Sequence, residues 1–138
     1  MSDYTPVSIE TVDQQILDRV WGEEIIVAET DKYLGKVLQY KAGCAGGLQY
    51  HVEKDETFYL FSGRAWVDYD DGSGALVRIE MTPGDSFHIP PGAVHRFEAI
   101  EDCIVFEAST PHYDDRVRME EYYGVEVIGD AYGLETTR

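Results

Sequence analysis

The stretch "GLQYHVEKDETFYLFSG", residues 47–63, places three potential metal ligands in a segment that otherwise favours β-strands. In an extended strand successive side chains point to opposite faces, so Gln49 and His51 share one face. After the polar turn "EKD", Glu56 begins the return strand and meets the same side from across the hairpin. The pattern therefore predicts that Gln49, His51 and Glu56 approach one cavity.

A second stretch, "GDSFHIPPGAVHRFEA" at residues 84–99, adds another imidazole. Its "PPG" predicts a tight turn that delivers His95 onto a strand. A Gln-x-His pair alone is common on surface strands. Two imidazoles, a carboxylate and an amide oxygen together suit Zn, Fe, Mn, Co or Ni in a site with open positions. We therefore expect a divalent metal ion as the cofactor, bound by Gln49, His51, Glu56 and His95.

Outside these stretches, short runs rich in Val, Ile, Tyr and Phe alternate with turn residues between residues 24 and 106. This pattern is typical of all-β sandwiches and barrels. "DDGSG" at residues 70–74 predicts a hairpin, and "TPGD" at residues 82–85 supplies Pro and then Gly for a type II turn. The predicted strands cover residues 25–29, 33–41, 48–52, 57–61, 65–69, 75–80, 86–89, 94–99 and 103–108.

Two segments near the ends of the chain have helical features. In "SIETVDQQILDRV", residues 8–20, apolar residues recur near helical spacing and Ser8 is a candidate N-cap. "DDRVRMEEYYG", residues 114–124, permits a short helix or an irregular arm. The length of 138 residues predicts one domain, with an N-terminal arm at 1–22, a barrel at 23–110 and a C-terminal arm at 111–138. We expect the arms to wrap the barrel or a partner subunit.

The formal net charge of -16 makes nucleic acid and anionic membrane surfaces unfavourable partners, because the field of the whole molecule repels both. The apolar runs are far shorter than the roughly 20 residues that span a bilayer, and we expect no export signal. Cys44 and Cys103 match no metal-binding or redox spacing. We therefore expect two reduced thiols in a cytoplasmic protein.

The spacing of the two stretches resembles the two motifs of the cupin superfamily. The residues at the positions of the first motif are Gly43, Gln49, His51, Glu56 and Gly63. Those at the positions of the second are Gly84, Pro90, Gly92 and His95. Gln49 stands where most members have a first histidine, and Ala99 stands where Asn is usual. The resemblance implies an all-β fold, the cupin double-stranded β-helix or jelly-roll barrel.

With Gln49, the ligands resemble the Gln, His, Glu, His metal set of phosphomannose isomerases, and residues 19–124 are similar to the cupin domain of mannose-6-phosphate isomerase. This implies an aldose–ketose isomerase that uses its metal on a small carbohydrate or carbonyl substrate, a sugar or sugar phosphate. Two alternatives remain, a non-catalytic cupin that binds a sugar or metabolite and a metal-dependent dioxygenase. Barrel domains of this kind resemble proteins that pair through exposed strands, so we expect a homodimer.

Isomerisation also needs a base and, for a phosphorylated substrate, cationic groups. His88 alternates with Phe87 and Ile89, so it would face inward as the base if those two pack on the outer layer, and otherwise it is an exposed or structurally bonded histidine. His112 is a second candidate for the base, although a histidine in such a segment is more often a surface residue than a catalytic one. Lys36, Arg116 and Arg118 are the candidates for substrate contacts, with surface ion pairing as the alternative for each.

Overall fold

The computed structural model describes residues 3–113 and 115–128, which form two antiparallel β-sheets packed face to face. The strands are β1 (Gln15–Arg19), β2 (Gly22–Glu29), β3 (Leu34–Tyr40), β4 (Gln49–His51), β5 (Glu56–Ser62), β6 (Ala65–Asp70), β7 (Leu76–Met81), β8 (Ser86–Ile89), β9 (His95–Ala99), β10 (Cys103–Ser109) and β11 (Arg116–Arg118). A short helix, α1 (Glu120–Tyr123), follows β11. The all-β jelly-roll architecture expected from the sequence is confirmed.

The order of strands brings the two motif stretches together. One sheet has the order β1-β2-β3-β10-β5-β8, and the other has the order β11-β4-β9-β6-β7. In the second sheet β4 pairs with β9, so Gln49 lies opposite His95. In the first sheet β5 begins at Glu56, next to β10 and β8. Residues from both stretches therefore meet at one end of the space between the sheets.

Each strand predicted between residues 25 and 108 is present as β2 to β10. The hairpin at residues 70–74 joins β6 to β7, with Asp70 opposite Leu76. The type II turn at residues 82–85 is present, with Gly84 at φ 96 and the Asp85 N–H donating to the Thr82 carbonyl. Turn chemistry in these segments is local, which is why the sequence predicts it well.

The helix expected at residues 8–20 is wrong. Residues 15–19 form β1, an edge strand in which Ile16 lies opposite Ile25 of β2. Arg19 is buried while Asp18 is exposed, which is the two-residue alternation of a strand. Ser8 donates its hydroxyl to the Ile9 carbonyl and caps no helix. Pairing with the free edge of β2 outweighs a weak helical pattern, since an isolated helix of this length is marginal in water.

The segment assigned to the C-terminal arm contains β11 and α1. The helix α1 is the short helix that the sequence permits. Residues 116–118 pair with β4, placing Arg116 opposite His51 and Arg118 opposite Gln49. The helix ends at Gly124, whose φ of 67 lies in the left-handed region. Asp114 and residues 129–138 of the expected arm lie outside the described residues.

The apolar core fills the middle of the sandwich and leaves one end polar. Leu60, Met81 and Val105 are fully buried, and the Trp21 and Tyr40 rings stack between the sheets. Buried charged and imidazole side chains concentrate beyond this core, at the end where β4 finishes and β5 begins. Among the described residues, no helix is long and apolar enough to cross a bilayer.

Candidate metal centre

His51, Glu56 and His95 form a buried cluster that could hold a metal ion. The His51 Nε2 atom lies 3.7 Å from Glu56 Oε1, and His95 Nε2 lies 3.4 Å from the same oxygen. Each of the three residues has one ligand atom within 4.8 Å of those of the other two. The fold therefore brings these three predicted ligands together, with His51 at the end of β4 and Glu56 and His95 at the starts of β5 and β9.

Gln49, the fourth predicted ligand, lies on β4 opposite His95 of β9 and lines the same cavity. Its Oε1 atom is buried and has no hydrogen-bond partner among the described residues. A buried polar atom without a partner costs about 1–3 kcal/mol, so native proteins rarely keep one without a reason. A metal ion beside this oxygen would supply its missing partner, and the mixed nitrogen and oxygen set suits such an ion.

Hydrogen bonds behind the two imidazoles turn both rings towards Glu56. His95 Nδ1 donates to the Ala93 carbonyl at 2.9 Å, which leaves the Nε2 lone pair on the side of the cluster. His51 Nδ1 bonds Asp115 Oδ1 at 2.9 Å, and the backbone N–H groups of Glu53 and Lys54 donate to the other oxygen of Asp115. Histidines that bind metals have this outer arrangement, since it fixes ring orientation and tautomer.

The pKa values of the two histidines move in opposite directions. Burial lowers the pKa of His51, despite the nearby charge of Glu56. At His95 burial also acts to lower the pKa, but the hydrogen bond and the charge of Glu56 outweigh it and raise the pKa. Glu56 thus favours a positive charge at the point where the ligand atoms converge, and a divalent ion would provide that charge.

A chain of alternating buried charges leads away from the metal centre across the barrel. In spatial order its members are Glu56, Lys54, Glu107, Lys36, Glu24 and Arg19. Lys54 Nζ lies 2.9 Å from Glu107 Oε2 and 3.7 Å from Glu56 Oε2. Burial acts to raise the pKa of Glu107, but the charges of Lys36 and Lys54 outweigh it and lower that pKa to about 2. Glu107 is therefore ionised at neutral pH.

Of the three residues predicted to contact substrate, two line the cavity and one does not. Lys36 lines the cavity next to the metal centre, and Arg116 lines it as well. Arg118 is not among the lining residues; it pairs with Glu120 and lies against Gly47, where a Cβ atom would be 2.7 Å from the Arg118 Cζ. The structure thus brings Lys36 to the site and places Arg118 beside it, in an ion pair.

The expectation that His88 faces into the barrel is wrong. Its side chain is 61% exposed, and its Nε2 lies 2.6 Å from Asp55 Oδ1 on the outside of the sheet. His112 is also on the surface, with Nε2 3.9 Å from Glu53 Oε2. His88 points outward because β8 is an edge strand whose inward positions are taken by its apolar neighbours, so it meets solvent and a surface carboxylate.

Sequence reasoning missed Asp115, Lys54 and Arg19. Lys54 lies in the turn "EKD", which reads as a solvent-exposed turn, yet its side chain is only 7% exposed. Asp115 reaches His51 from a segment that lies 64 residues further along the chain. The sequence contains no local signal for either contact, although the pairing of β11 with β4 explains how Asp115 arrives there.

A family model described as "Cupin domain" matches residues 36–103, which contain both motif stretches and all four candidate ligands. Residues 36–103 are therefore similar to a cupin domain. The match begins in β3 and ends at the start of β10, so the matched region contains the strands that carry the candidate metal centre.

Solved structures share the cupin fold at low sequence identity. KdgF from Halomonas sp. has a TM-score of 0.62 and 24% identity, with 75% of this chain and 90% of that chain covered. An oxalate decarboxylase from Bacillus subtilis has a TM-score of 0.71 and 17% identity, with 91% and 39% covered. The capsular polysaccharide assembling protein CapF from Staphylococcus aureus has a TM-score of 0.68 and 18% identity, with 85% and 35% covered.

A curated protein is similar over a shorter stretch. Acireductone dioxygenase 4 from Arabidopsis thaliana is 35% identical over 63 residues, which are 45% of this chain. The match spans 34% of that relative, so the chain corresponds to about a third of its length.

Proposed function

We propose that this chain is a metal-dependent enzyme that acts on a small hydroxylated, carbonyl-bearing substrate. The ligands are Gln49, His51, Glu56 and His95. The observation that carries the proposal is the buried Gln49 Oε1, which has no partner among the described residues and lies on the strand that also carries His51, opposite His95. A purely structural cluster would leave this oxygen unsatisfied at a cost in stability.

A bound divalent ion would polarise a carbonyl and a neighbouring hydroxyl. The residues around such an ion would line the cavity and donate hydrogen bonds to the substrate. Phe58 and Phe97 contribute apolar surface to the cavity lining. Burial acts to lower the pKa of Lys54, but the charges of Glu107 and Glu56 outweigh it and raise the pKa. Lys54 therefore holds its proton and can donate hydrogen bonds to negative charge that develops on a substrate oxygen.

The reaction that we propose first is aldose–ketose isomerisation of a sugar or sugar phosphate. The support is the Gln, His, Glu, His set, which resembles that of mannose-6-phosphate isomerases, together with a cavity that holds a cation, Lys54, beside the ligands. A dioxygenase is the second candidate, because acireductone dioxygenase 4 is 35% identical over 63 residues. A cupin that binds a metabolite without turnover is the remaining alternative.

Elemental analysis of the purified, untagged protein tests the metal. We expect about one divalent ion per chain, and its loss in Gln49→Met and His51→Ala variants that remain folded. Gln39→Met is the matched control, because Gln39 is exposed on β3. Unchanged metal content in both site variants would contradict the ligand assignment.

A reaction screen separates the candidate activities. The metal-loaded protein is incubated with aldose and ketose phosphates and their unphosphorylated sugars, and isomer formation is followed by NMR. Oxygen uptake with the iron-loaded protein, absent with zinc or manganese, would favour the dioxygenase. A loaded protein that binds these compounds but turns none over would favour the binding function.

We also propose that the protein is a cytoplasmic homodimer. The outward face of the six-stranded sheet carries an uninterrupted row of apolar side chains on neighbouring strands, which we call the outer apolar row. Its members are Ile16, Ile25, Val37, Phe106 and Tyr59. Phe106 is 40% and Ile16 62% exposed. Such a face supports association of two copies, and free Cys44 and Cys103 suit a reducing compartment.

A further inference from the structure

Residues 4–14, which we call the exposed segment, precede β1 and lie at the surface over their whole length. Each of these residues is exposed, and none belongs to a strand or a helix. The large apolar residues among them are Tyr4, Val7, Ile9 and Val12. Val7 is 86% and Ile9 95% exposed. The segment therefore carries apolar surface that its own barrel does not cover, although burial of such side chains is favourable.

The sequence of the exposed segment has the two-residue alternation of a strand. Val7, Ile9 and Thr11 would share one face of an extended chain, while Ser8 and Glu10 would share the other. Val, Ile and Thr are also residues that favour strands. The segment is therefore suited to join the edge of a β-sheet with its less polar face towards a core.

An apolar groove beside β8 offers such an edge. β8 ends the six-stranded sheet, and β7 ends the five-stranded sheet. Among the described residues, no strand pairs with the outer side of β8. The groove beside β8 has a volume of about 300 Å³, and the apolar side chains in its lining are Val67, Tyr69, Ile79, Phe87, Ile89 and Val94. A strand added to β8 would turn every second side chain into this groove.

The exposed segment and the groove lie at opposite edges of the six-stranded sheet, five strand spacings or about 24 Å apart. Two copies can meet through the outer apolar row with a twofold axis along the strands, which reverses the order of strands in the second copy. β1 of one copy then faces β8 of the other, about 10 Å away at the usual distance between packed sheets. Three extended residues span about 10 Å, so residues 12–14 suffice for the crossing.

We propose that two copies of the chain exchange their exposed segments. Residues 7–11 of each copy add as a strand to β8 of the other, with Val7 and Ile9 in the groove. The inference rests on the proposed homodimer and adds a second contact to it. The exchange covers the apolar residues of the segment and pairs the open edge of β8. Since His95 also lines the groove, the added strand closes the barrel next to a candidate metal ligand of the other copy.

Photo-cross-linking of the full chain tests the exchange. The photoreactive residue p-benzoylphenylalanine replaces Ile9, and denaturing electrophoresis separates linked pairs of chains from single chains after irradiation. We expect linked pairs in which position 9 is joined to the tryptic peptide 79–96, which contains β8. The same photoreactive residue at Val52, which is exposed outside the groove, is the control and should not label this peptide. Links confined to single chains, or linked pairs joined elsewhere, would overturn the exchange.

A matched pair of charge substitutions tests which face of the segment is buried. Ile9→Glu should raise the dissociation constant of the dimer at least about tenfold, because burial of one isoleucine contributes at least that factor. Ser8→Glu adds the same charge at the neighbouring position, which faces solvent in the exchanged strand, and should leave the constant almost unchanged. Sedimentation over a dilution series measures both constants. Equal effects of the two substitutions would contradict the inference.

The mass of the unmodified protein in the same dilution series separates the two proposals. A wild-type protein that is a monomer at every concentration contradicts the homodimer itself. A dimer that gives no linked pairs from position 9 contradicts the exchange and leaves the homodimer standing.

Discussion

Asp115 shows how much a single residue outside the ligand set contributes to the metal centre. Its Oδ1 bonds His51 Nδ1, while its Oδ2 accepts two backbone N–H groups from the turn before β5. The carboxylate therefore connects a ligand ring to the loop that leads to Glu56. Burial acts to raise the pKa of Asp115, but these bonds and the contact with His51 outweigh it and lower the pKa.

We predict that Asp115→Asn lowers metal affinity by about 10–100-fold, because the loss of such an outer carboxylate weakens the ligand that it orients. The fold should persist, since an amide oxygen can still accept from the turn. Competition with a chromogenic chelator measures the affinity.

The matched control is Asp55→Asn, which breaks the other close carboxylate–histidine pair, that of Asp55 with exposed His88. This variant should keep the affinity of the wild type. Equal losses in Asp115→Asn and Asp55→Asn would show that the effect is not specific to the metal centre.

At the scale of elements, the glycines at the motif positions serve different needs. Gly63, between β5 and β6, has φ +92, and a Cβ atom there would lie 2.3 Å from the Asp102 carbonyl oxygen. Gly92, before β9, has φ +87, with nothing within 4 Å of a Cβ atom. Both turns need a residue with left-handed backbone angles. Only at Gly63 does the absence of a Cβ atom also avoid a clash.

We predict that Gly63→Ala destabilises the protein by about 3 kcal/mol or more, from backbone strain together with the clash. Gly92→Ala introduces backbone strain without a clash and should lower the free energy of unfolding by about 1–2 kcal/mol. Urea unfolding of the two variants measures the difference. An equal loss of stability would mean that the close approach at Asp102 relaxes without cost.

Three neighbouring strands share one ion cluster around buried Asp68, outside the metal centre. Asp68 on β6 lies opposite Arg78 on β7 and Arg96 on β9. Its Oδ1 accepts from Arg78 Nε at 2.7 Å, and its Oδ2 accepts from Arg96 Nε at 3.2 Å. Burial acts to raise the pKa of Asp68, but these bonds and charges outweigh it and lower the pKa.

A carboxylate with a lowered pKa stabilises the folded state above its unfolded pKa of about 3.9. That contribution is lost as the pH falls through the folded pKa. We predict that Asp68→Asn lowers the free energy of unfolding by about 1–3 kcal/mol at pH 7, and that the gap narrows as the pH falls below about 3.9.

Denaturant unfolding across this pH range checks the prediction for Asp68. Asp18→Asn, at an exposed position of β1, is the control and should leave the unfolding free energy almost unchanged. A gap between Asp68→Asn and wild type that stays constant down to the lowest pH would contradict it.

At the scale of the whole molecule, a strongly acidic chain presents a row of apolar side chains on one outward face. The outer apolar row crosses five strands, and Phe61 adds a further ring next to Phe106. The N-terminal segment exposes Val7 at 86% and Ile9 at 95%. Two copies that meet through this face would cover these apolar surfaces and keep most of their acidic residues apart.

We predict a dimer for the wild type and a monomer for Phe106→Glu, because a buried carboxylate at the centre of the face costs more than the interface returns. Light scattering coupled to size exclusion measures the mass. Val52→Glu changes an exposed apolar residue outside the row and should remain a dimer. A Phe106→Glu variant with the mass of a dimer would exclude this face.

Local rules explain what could be predicted from the residues alone. Alternation along strands and turn chemistry predict β2 to β10, and they place Gln49 and His51 on one face. They fail where pairing with another segment determines the secondary structure. At residues 15–19, pairing with the free edge of β2 outweighs a helical pattern. They fail again at His88, whose orientation depends on which face of β8 meets the other sheet.

The sequence by itself determined the all-β fold and the four candidate ligands, because strand period and motif spacing are properties of consecutive residues. Only the tertiary structure decided what surrounds those ligands. Strand pairing and burial between remote segments bring Asp115 to His51, and Lys54 and Arg19 to the cavity. Burial is what makes their charges strong. A lysine in a polar turn therefore becomes part of a site only when the barrel closes around it.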